Sequence, residues 1–134
     1  MADPEKVRRV REATVREHME AENALDFDRT LATFGHPRYE LIPLDTVHDG
    51  AEEVMRYFRD SRTVFPDQRN ELISLRHAED AVVVEFWLLG TYKGGPKPTG
   101  RAFRCRMTAF FIFEGVDLVC ERVYWDNASI RRQL

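Results

Sequence analysis

Residues 101–125 read RAFRCRMTAFFIFEGVDLVCERVYW and are the most informative part of the chain. Apolar, aromatic and β-branched side chains dominate two runs, Arg101–Phe113 and Leu118–Trp125, and this composition is typical of β-strands. Only the segment Glu114–Asp117, which contains Gly115, separates the runs. The pattern therefore predicts two antiparallel strands joined by a tight turn.

The turn gives this hairpin an approximate register. If Glu114 faces Asp117, side chains alternate between two faces along both strands. One face would carry Cys105, Met107, Ala109 and Phe111 beside Cys120, Arg122, Tyr124 and Asp126. The other would carry Arg106, Thr108, Phe110 and Ile112 beside Val119, Glu121, Val123 and Trp125. A one-residue bulge would exchange these sets.

The first face has the composition of a pocket wall, because it is mostly apolar and ends in an Arg, a Tyr and an Asp. We expect Met107 and Cys105 to desolvate Asp126, which raises the pKa of a carboxyl toward that of a general base. Asp126 is thus the predicted catalytic residue, with capping of a C-terminal helical turn as the alternative. Tyr124 and Arg122 would donate hydrogen bonds to a carbonyl or enolate oxygen. Alternatively, Tyr124 simply packs, and Arg122 pairs with Asp126 or lies at the rim.

The second face is too apolar for full exposure to water. Face-to-face association of two sheets would cover it, and dimers with two-fold symmetry are the commonest oligomers. A homodimer is therefore predicted.

The first half of the chain reads as helical, with one strand. A helix capped by Asp3-Pro4 carries a stripe at spacings of three and four residues, formed by Val7, Val10, Thr14, His18, Ala21 and Leu25. A short helix with Phe27, Leu31 and Phe34 follows, and then a strand over Tyr39–Val47 in which Pro43 indicates an edge or a bulge. A third helix is predicted from Ala51 to about Thr63, with Val54, Tyr57 or Phe58, and Ser61 on its buried side.

The second half is rich in strands. Two of them, Asn70–Arg76 and Ala81–Tyr92, precede the hairpin, and a glycine- and proline-rich loop over Lys93–Gly100 is either a lid or a plain connection. Residues Ala128–Leu134 are predicted to form a terminal helical turn. This order of elements predicts a curved, mainly antiparallel sheet that packs over three N-terminal helices. The fold would be a half-open α+β cone, and its open mouth would suit a small molecule.

Further ligand-binding candidates come from positions near this mouth. His18 lies on the stripe of the first helix, and His48 precedes a turn; Tyr57 and Trp87 are large enough to wall a flat apolar ligand, and Met107 and Phe111 lie on the pocket face. A satisfied core position is the alternative for His18, and core packing is the alternative for Tyr57 and Trp87.

Length and composition limit the remaining possibilities. The chain has 134 residues, so we expect one domain over 1–134. Its net charge of −3 argues against nucleic-acid and membrane-surface partners, which need a clustered basic face. No signal-peptide core or membrane-length apolar run occurs, so a cytoplasmic protein is predicted. Cys105 and Cys120 lack metal-type spacing, and no cofactor motif is present, so neither metal nor cofactor is expected.

The order of several short motifs resembles the SnoaL-like polyketide cyclases of the nuclear-transport-factor-2-like (NTF2-like) superfamily. These motifs are Phe65-Pro66-Asp67, Gly90-Thr91-Tyr92, Pro98-Thr99-Gly100-Arg101 and Glu121-Arg122-Val123-Tyr124-Trp125-Asp126, with Arg132-Gln133-Leu134 at the end. The resemblance runs from about Val7 to the last residue. It implies a dimeric α+β barrel with an internal pocket and no metal or cofactor.

The resemblance also implies a role for Asp126. In the family's cyclases an Asp at the end of the last strand is the acid/base of an aldol ring closure, and by position it resembles Asp126. The His that those cyclases place on the preceding strand is replaced here by Phe111 or Phe110.

Two functions remain open at this point. The first is a cofactor-free cyclase, isomerase or hydrolase, similar to a polyketide cyclase or a ketosteroid isomerase, acting on a small apolar carbonyl compound. The second is a dimer that binds a small hydrophobic ligand without turnover. Protein association alone is a third and weaker hypothesis.

Overall fold

The computed structural model describes residues 3–134, which fold into helices packed on one curved sheet. The elements within this range are, in order, α1 (Pro4–Asn23), α2 (Phe27–Leu31), β1 (Arg38–Leu41), β2 (Thr46–Asp49), α3 (Ala51–Val64), β3 (Arg69–His77), β4 (Ala81–Thr91), β5 (Ala102–Glu114), β6 (Asp117–Tyr124) and α4 (Asn127–Gln133). The strands are ordered β2-β1-β6-β5-β4-β3, and neighbours are antiparallel except for the parallel pair β1 and β6. The sheet stays open, so the predicted half-open α+β cone is confirmed.

The first helix begins as the sequence predicts. Asp3 caps it by accepting a hydrogen bond from the Glu5 N–H, and Pro4 is its first residue. Its buried side is formed by Arg11, Val15, His18, Met19 and Ala21. The predicted stripe is therefore right at His18 and Ala21 and wrong at Val10 and Leu25, which are exposed, Leu25 lying beyond the end of the helix.

Residues 39–47 do not form the single predicted strand. The chain turns through one 3-10 turn at Ile42–Leu44, which contains Pro43, and Asp45 takes a left-handed conformation with φ of 48°. A short hairpin, β1 and β2, results because proline cannot donate to a strand ladder. β1 is thereby free to pair with β6 on its other edge.

A β-bulge in β6 changes which residues of that strand face inward. Glu114 does pair with Asp117 and Phe113 with Leu118, but Ile112 pairs with Cys120, which leaves Val119 as an extra residue. From there on, Phe111 faces Glu121 and the register is shifted by one residue. The β6 part of the predicted face assignment is therefore wrong, and the bulge alternative is realised.

The outer face of the sheet is partly apolar and partly charged. Trp87 on β4 lies beneath the guanidinium groups of Arg104 and Arg106, 4.5 and 5.6 Å from its ring centre. Phe110 packs edge-on against Tyr124 at 5.8 Å. Of the helices described for residues 3–134, none has the length and apolar character needed to cross a membrane.

Candidate active site

A pocket of about 300 Å³ opens between the inner face of the sheet, α3 and α4. Its walls are mostly apolar, as small-molecule sites usually are. The contributing side chains include Phe58, Phe86, Phe103, Met107, Val123 and Trp125. Of the described residues that line the pocket, none comes from the loop 93–100, and the Lys93 and Gly94 N–H groups instead donate to the Val64 carbonyl at the end of α3. The structure thus fits the plain-connection alternative for this loop.

Four of the polar side chains that line the pocket come from four different elements. They are Glu22 of α1, Tyr39 of β1, Arg62 of α3 and Glu121 of β6. Tyr39 and Glu121 are direct partners in the parallel ladder, so they point to the same side of the sheet. His18 lies one helical turn before Glu22 and joins the group from behind.

His18 is fully buried and is the centre of this polar cluster. Its Nε2 lies 2.7 Å from the Tyr39 hydroxyl, 2.9 Å from Glu22 Oε1 and 3.4 Å from Glu121 Oε1. Its Nδ1 is 2.9 Å from Thr33 Oγ1, and that hydroxyl donates to the Thr30 carbonyl. The Thr33 oxygen is therefore left to accept, so Nδ1 carries a proton.

The surroundings favour the imidazolium form of His18. Burial lowers the pKa of His18, but the hydrogen bonds and charges of Glu121 and Glu22 outweigh burial and raise the pKa to about 9. The Tyr39 hydroxyl donates to Glu22 Oε1 at 2.7 Å, and burial raises the pKa of Tyr39 well above its ordinary value. Tyr39 therefore remains a neutral donor.

The pKa values of the two carboxyl groups in the cluster change in opposite directions. For Glu22, burial raises the pKa, but the hydrogen bond and charge of His18 and the charge of Arg62 bring it below its usual range. For Glu121, burial raises the pKa, the His18 hydrogen bond lowers it, and the charge of Glu22 raises it again, so that the net change is upward. Of the two carboxyls, Glu22 is therefore the one that ionises more readily, and Glu121 is the one that keeps its proton to a higher pH.

The same side chains offer a donor set for a metal. One ligand atom each from His18, Glu22 and Glu121 lie within 4.8 Å of one another. However, Arg62 Nη2 lies 4.0 Å from Glu22 Oε2, so a cation bound at Glu22 would face the charge of a guanidinium. The proton network satisfies these residues without an ion and is the better fit.

The predicted catalytic residues lie outside the pocket. Asp126 caps α4 by accepting from the Ala128 and Ser129 N–H groups, and 65% of its side chain is exposed. The predicted desolvation of Asp126 by Met107 and Cys105 is wrong, and the capping alternative is what the structure shows. Arg122 pairs with Glu40 at 2.6 Å, and Tyr124 is exposed, both on the outer face. The physical reason is the Val119 bulge, which turns Arg122 and Tyr124 outward.

Of the predicted ligand-binding residues, some line the pocket, some lie behind it and some lie outside it. Tyr57 and Met107 line the pocket, and His18 lies directly beneath it. Phe111 is buried one layer deeper and packs edge-on against His18 at 5.1 Å. The other two are not in the pocket: His48 stacks on Tyr57 from outside at 4.8 Å, and Trp87 belongs to the outer face.

Sequence reasoning missed Glu22, Tyr39, Arg62 and Glu121. A signal existed for Glu22, because a residue four positions after a buried His shares its helix face. Similarly, Arg62 is four positions after Phe58 on the buried side of α3. No local signal pointed to Glu121, since its inward direction depends on the bulge.

Comparison with known proteins assigns this chain to a family. Residues 15–121 match the family model described as the SnoaL-like domain. The chain therefore belongs to the SnoaL-like domain family. No curated protein matches the sequence.

Solved structures agree with this assignment at the level of the fold. A candidate SnoaL-like polyketide cyclase from Jannaschia matches with a TM-score of 0.85 and 16% identity over 99% of this chain and 95% of that one. An NTF2-like protein of unknown function from Burkholderia pseudomallei matches with a TM-score of 0.80 and 21% identity, over 92% and 96%. IdmH, a candidate polyketide cyclase from Streptomyces antibioticus, matches with a TM-score of 0.74 and 22% identity, over 91% and 96%.

Proposed function

We propose that this protein is a cofactor-free enzyme that moves a proton on a small apolar carbonyl compound, with Glu121 as the group that carries the proton. The observation behind the proposal is a buried carboxyl with a raised pKa at the floor of an apolar pocket. Perturbed carboxyls in clefts are common at catalytic sites, because a general base works best when its pKa approaches the working pH.

The cluster around Glu121 suits reversible proton transfer. When Glu121 is ionised, His18 Nε2–H stabilises the carboxylate from 3.4 Å; when it is protonated, Glu22 still neutralises His18 from 2.9 Å. The charge of His18 is therefore balanced in both states of Glu121, so neither state leaves an unpaired charge on that histidine in the buried site. Tyr39 and Thr33 hold the ring of His18 by hydrogen bonds and act as positioning residues.

In the proposed step, ionised Glu121 takes a proton from the carbon next to the substrate carbonyl, and the C–H electron pair forms an enolate. Tyr57 lines the pocket, and burial raises its pKa, so its O–H is a neutral donor for the enolate oxygen. Returning the proton to another carbon completes an isomerisation. Alternatively, the enolate carbon attacks a second carbonyl of the same molecule, the C=O electron pair moves to that oxygen, and Glu121 returns its proton to the alkoxide to complete a ring closure.

The reaction is tested with matched variants of two carboxyls near the end of β6. A panel of enolisable ketones and 1,3-dicarbonyl compounds is incubated in D₂O, and deuterium incorporation is measured by mass spectrometry. Glu121→Gln is expected to lower the exchange rate by a factor of about 10² to 10⁴, as loss of a general base does. Asp126→Asn, with its carboxyl at the exposed helix cap, is expected to keep the native rate.

Circular dichroism of both variants confirms that they are folded. Native exchange in Glu121→Gln, or loss of exchange confined to Asp126→Asn, would overturn the assignment. The second candidate, a ligand-binding protein without turnover, is favoured if a panel compound binds in the pocket and no native exchange exceeds the buffer rate. The predicted homodimer stays a prediction.

A further inference from the structure

Arg62 is a buried guanidinium whose hydrogen-bonding capacity is mostly unused. Its side chain is only 10% exposed and lines the pocket. Within residues 3–134 its Nη1 donates to Ser61 Oγ at 2.8 Å, and its Nε is buried without a partner. A guanidinium has five N–H donors, and buried donors normally find acceptors. Arg62 is therefore a polar group prepared for an acceptor that the chain does not supply.

Glu22 does not supply that acceptor. Its Oε1 already takes the hydrogen bonds of Tyr39 and His18, at 2.7 and 2.9 Å. Its Oε2 is 4.0 Å from Arg62 Nη2, which is too long for a hydrogen bond and far from the paired geometry of an Arg–carboxylate fork. The aromatic rings of Phe27 and Phe58 hold the guanidinium in place, with centres 5.2 and 5.7 Å away. These contacts with the two rings favour the observed position of the guanidinium over one turned toward Glu22.

The charge balance points in the same direction. When Glu121 holds its proton, the imidazolium of His18 and the guanidinium of Arg62 are two cations, and Glu22 is the one anion of this cluster that faces them. Buried charges are costly unless they are paired, and an anionic oxygen on a ligand would pair with Arg62. The remaining walls of the pocket are mostly apolar, with Gln68, Asn127 and Arg131 among the polar exceptions.

We propose that Arg62 binds a carboxylate of the substrate, so that the substrate is an apolar carbonyl compound that also carries a carboxylate group. This inference rests on the proposed function only in that it calls the bound molecule a substrate. The binding of an apolar carboxylate by Arg62 is a separate property and is tested without turnover.

The test uses two flat probes of the same shape, 2-naphthoate and its neutral amide, 2-naphthamide. Binding to the native protein is followed by calorimetry and by the fluorescence of Trp125, which lines the pocket. Native protein is expected to bind naphthoate at least about tenfold more tightly than the amide. Arg62→Gln is expected to remove this preference and to change the affinity for the amide by less than about twofold. A charged hydrogen bond is worth about 1.5–3 kcal/mol, and each 1.4 kcal/mol is tenfold in affinity.

Two further arginines separate this site from general attraction. Arg56 lies on the same helix, exposed and paired with Glu52 at 3.6 Å, and Arg56→Gln is expected to keep the preference for the acid. Arg131 lines the pocket from α4. Loss of the preference in Arg131→Gln but not in Arg62→Gln would assign the anion to Arg131 and overturn the proposal. Equal affinities for acid and amide in the native protein would also overturn it.

A measurement on the native protein covers the case in which Arg62→Gln fails to fold. The Arg62 Nε–H resonance in ¹⁵N-labelled protein is expected to shift with naphthoate and not with the amide, and an unchanged resonance at saturation contradicts the proposal. If no deuterium exchange is found while the preference for naphthoate is present and depends on Arg62, the proposed function is wrong and the anion site is supported. If exchange depends on Glu121 while the preference for naphthoate is absent, only the anion site is wrong.

Discussion

Two neighbouring residue pairs in the ladder between β1 and β6 each contain a glutamate, and the surroundings of the two glutamates are opposite. Tyr39 pairs with Glu121 on the inner face, and the next pair, Glu40 with Arg122, points outward. The outer pair forms an ion pair at 2.6 Å between partly exposed groups, whereas Glu121 is buried against His18 and Glu22. One residue along the strand thus separates an ordinary surface contact from a buried cluster with shifted pKa values.

This difference indicates what each pair does for the protein. Surface ion pairs contribute about 0–1 kcal/mol, because water and salt screen the charges. Buried ionic clusters contribute little net stability, because desolvation offsets the attraction, and yet breaking one is expensive. The inner cluster is therefore better explained by chemistry in the pocket than by a need for stability.

The largest expected difference between the two sites concerns Glu22 and Glu40. Glu22→Gln leaves the charges of His18 and Arg62 without their stable anion and is expected to cost about 3–5 kcal/mol in the free energy of unfolding. Glu40→Gln removes a charge from the outer pair and is expected to cost less than about 1 kcal/mol. Urea denaturation at pH 7 measures both. A cost for Glu22→Gln no larger than that for Glu40→Gln would remove the distinction between the sites.

A smaller effect is expected in the pH dependence of stability. The pKa of His18 is about 9 in the folded protein, against about 6.5 in an unfolded chain. Its contribution is therefore fully present below pH 6.5 and is lost as the pH rises through 9, a change of about 3 kcal/mol. The pKa of Glu121 is also raised in the folded protein, so its own contribution is lost in the same direction, as the pH rises from the ordinary glutamate value of about 4.3 through that raised pKa.

Comparison with His18→Gln isolates the share of His18. Urea denaturation of the native protein from pH 6 to 10 is expected to show this fall in the free energy of unfolding, and His18→Gln is expected to show a much flatter profile. Parallel profiles for the two proteins would mean that His18 is not charged in the folded state.

The sequence was sufficient for most of the elements, with residues 39–47 as the exception, and insufficient for the register. Helix α1 with its Asp3 cap, the turn at Gly115 and the succession of helices and strands along the chain depend on local patterns, which the chain displays directly. The bulge at Val119 leaves no such trace, because one additional β-forming residue looks like normal alternation. That single residue determined whether Glu121 or Arg122 faced the pocket.

The candidate site was partly predictable for the same reason. His18, Tyr57 and Met107 belong to buried stripes or faces and were found from periodicity. Tyr39 and Glu121 meet through a parallel pairing between residues far apart in the chain, which no local pattern records. Asp126 was a plausible acid by position, and its carboxyl instead caps α4 because the strand ends before it.

The most direct test of the account is the titration of Glu121 itself. Protein labelled with ¹³C at glutamate side-chain carboxyls is titrated by NMR, and the Glu121 signal is identified by its absence in Glu121→Gln. We expect this signal to titrate above the ordinary glutamate value of about 4.3, because burial and the charge of Glu22 outweigh the hydrogen bond from His18. A midpoint at or below that value would make Glu121 a permanent anion paired with His18 and would contradict its role as a proton carrier.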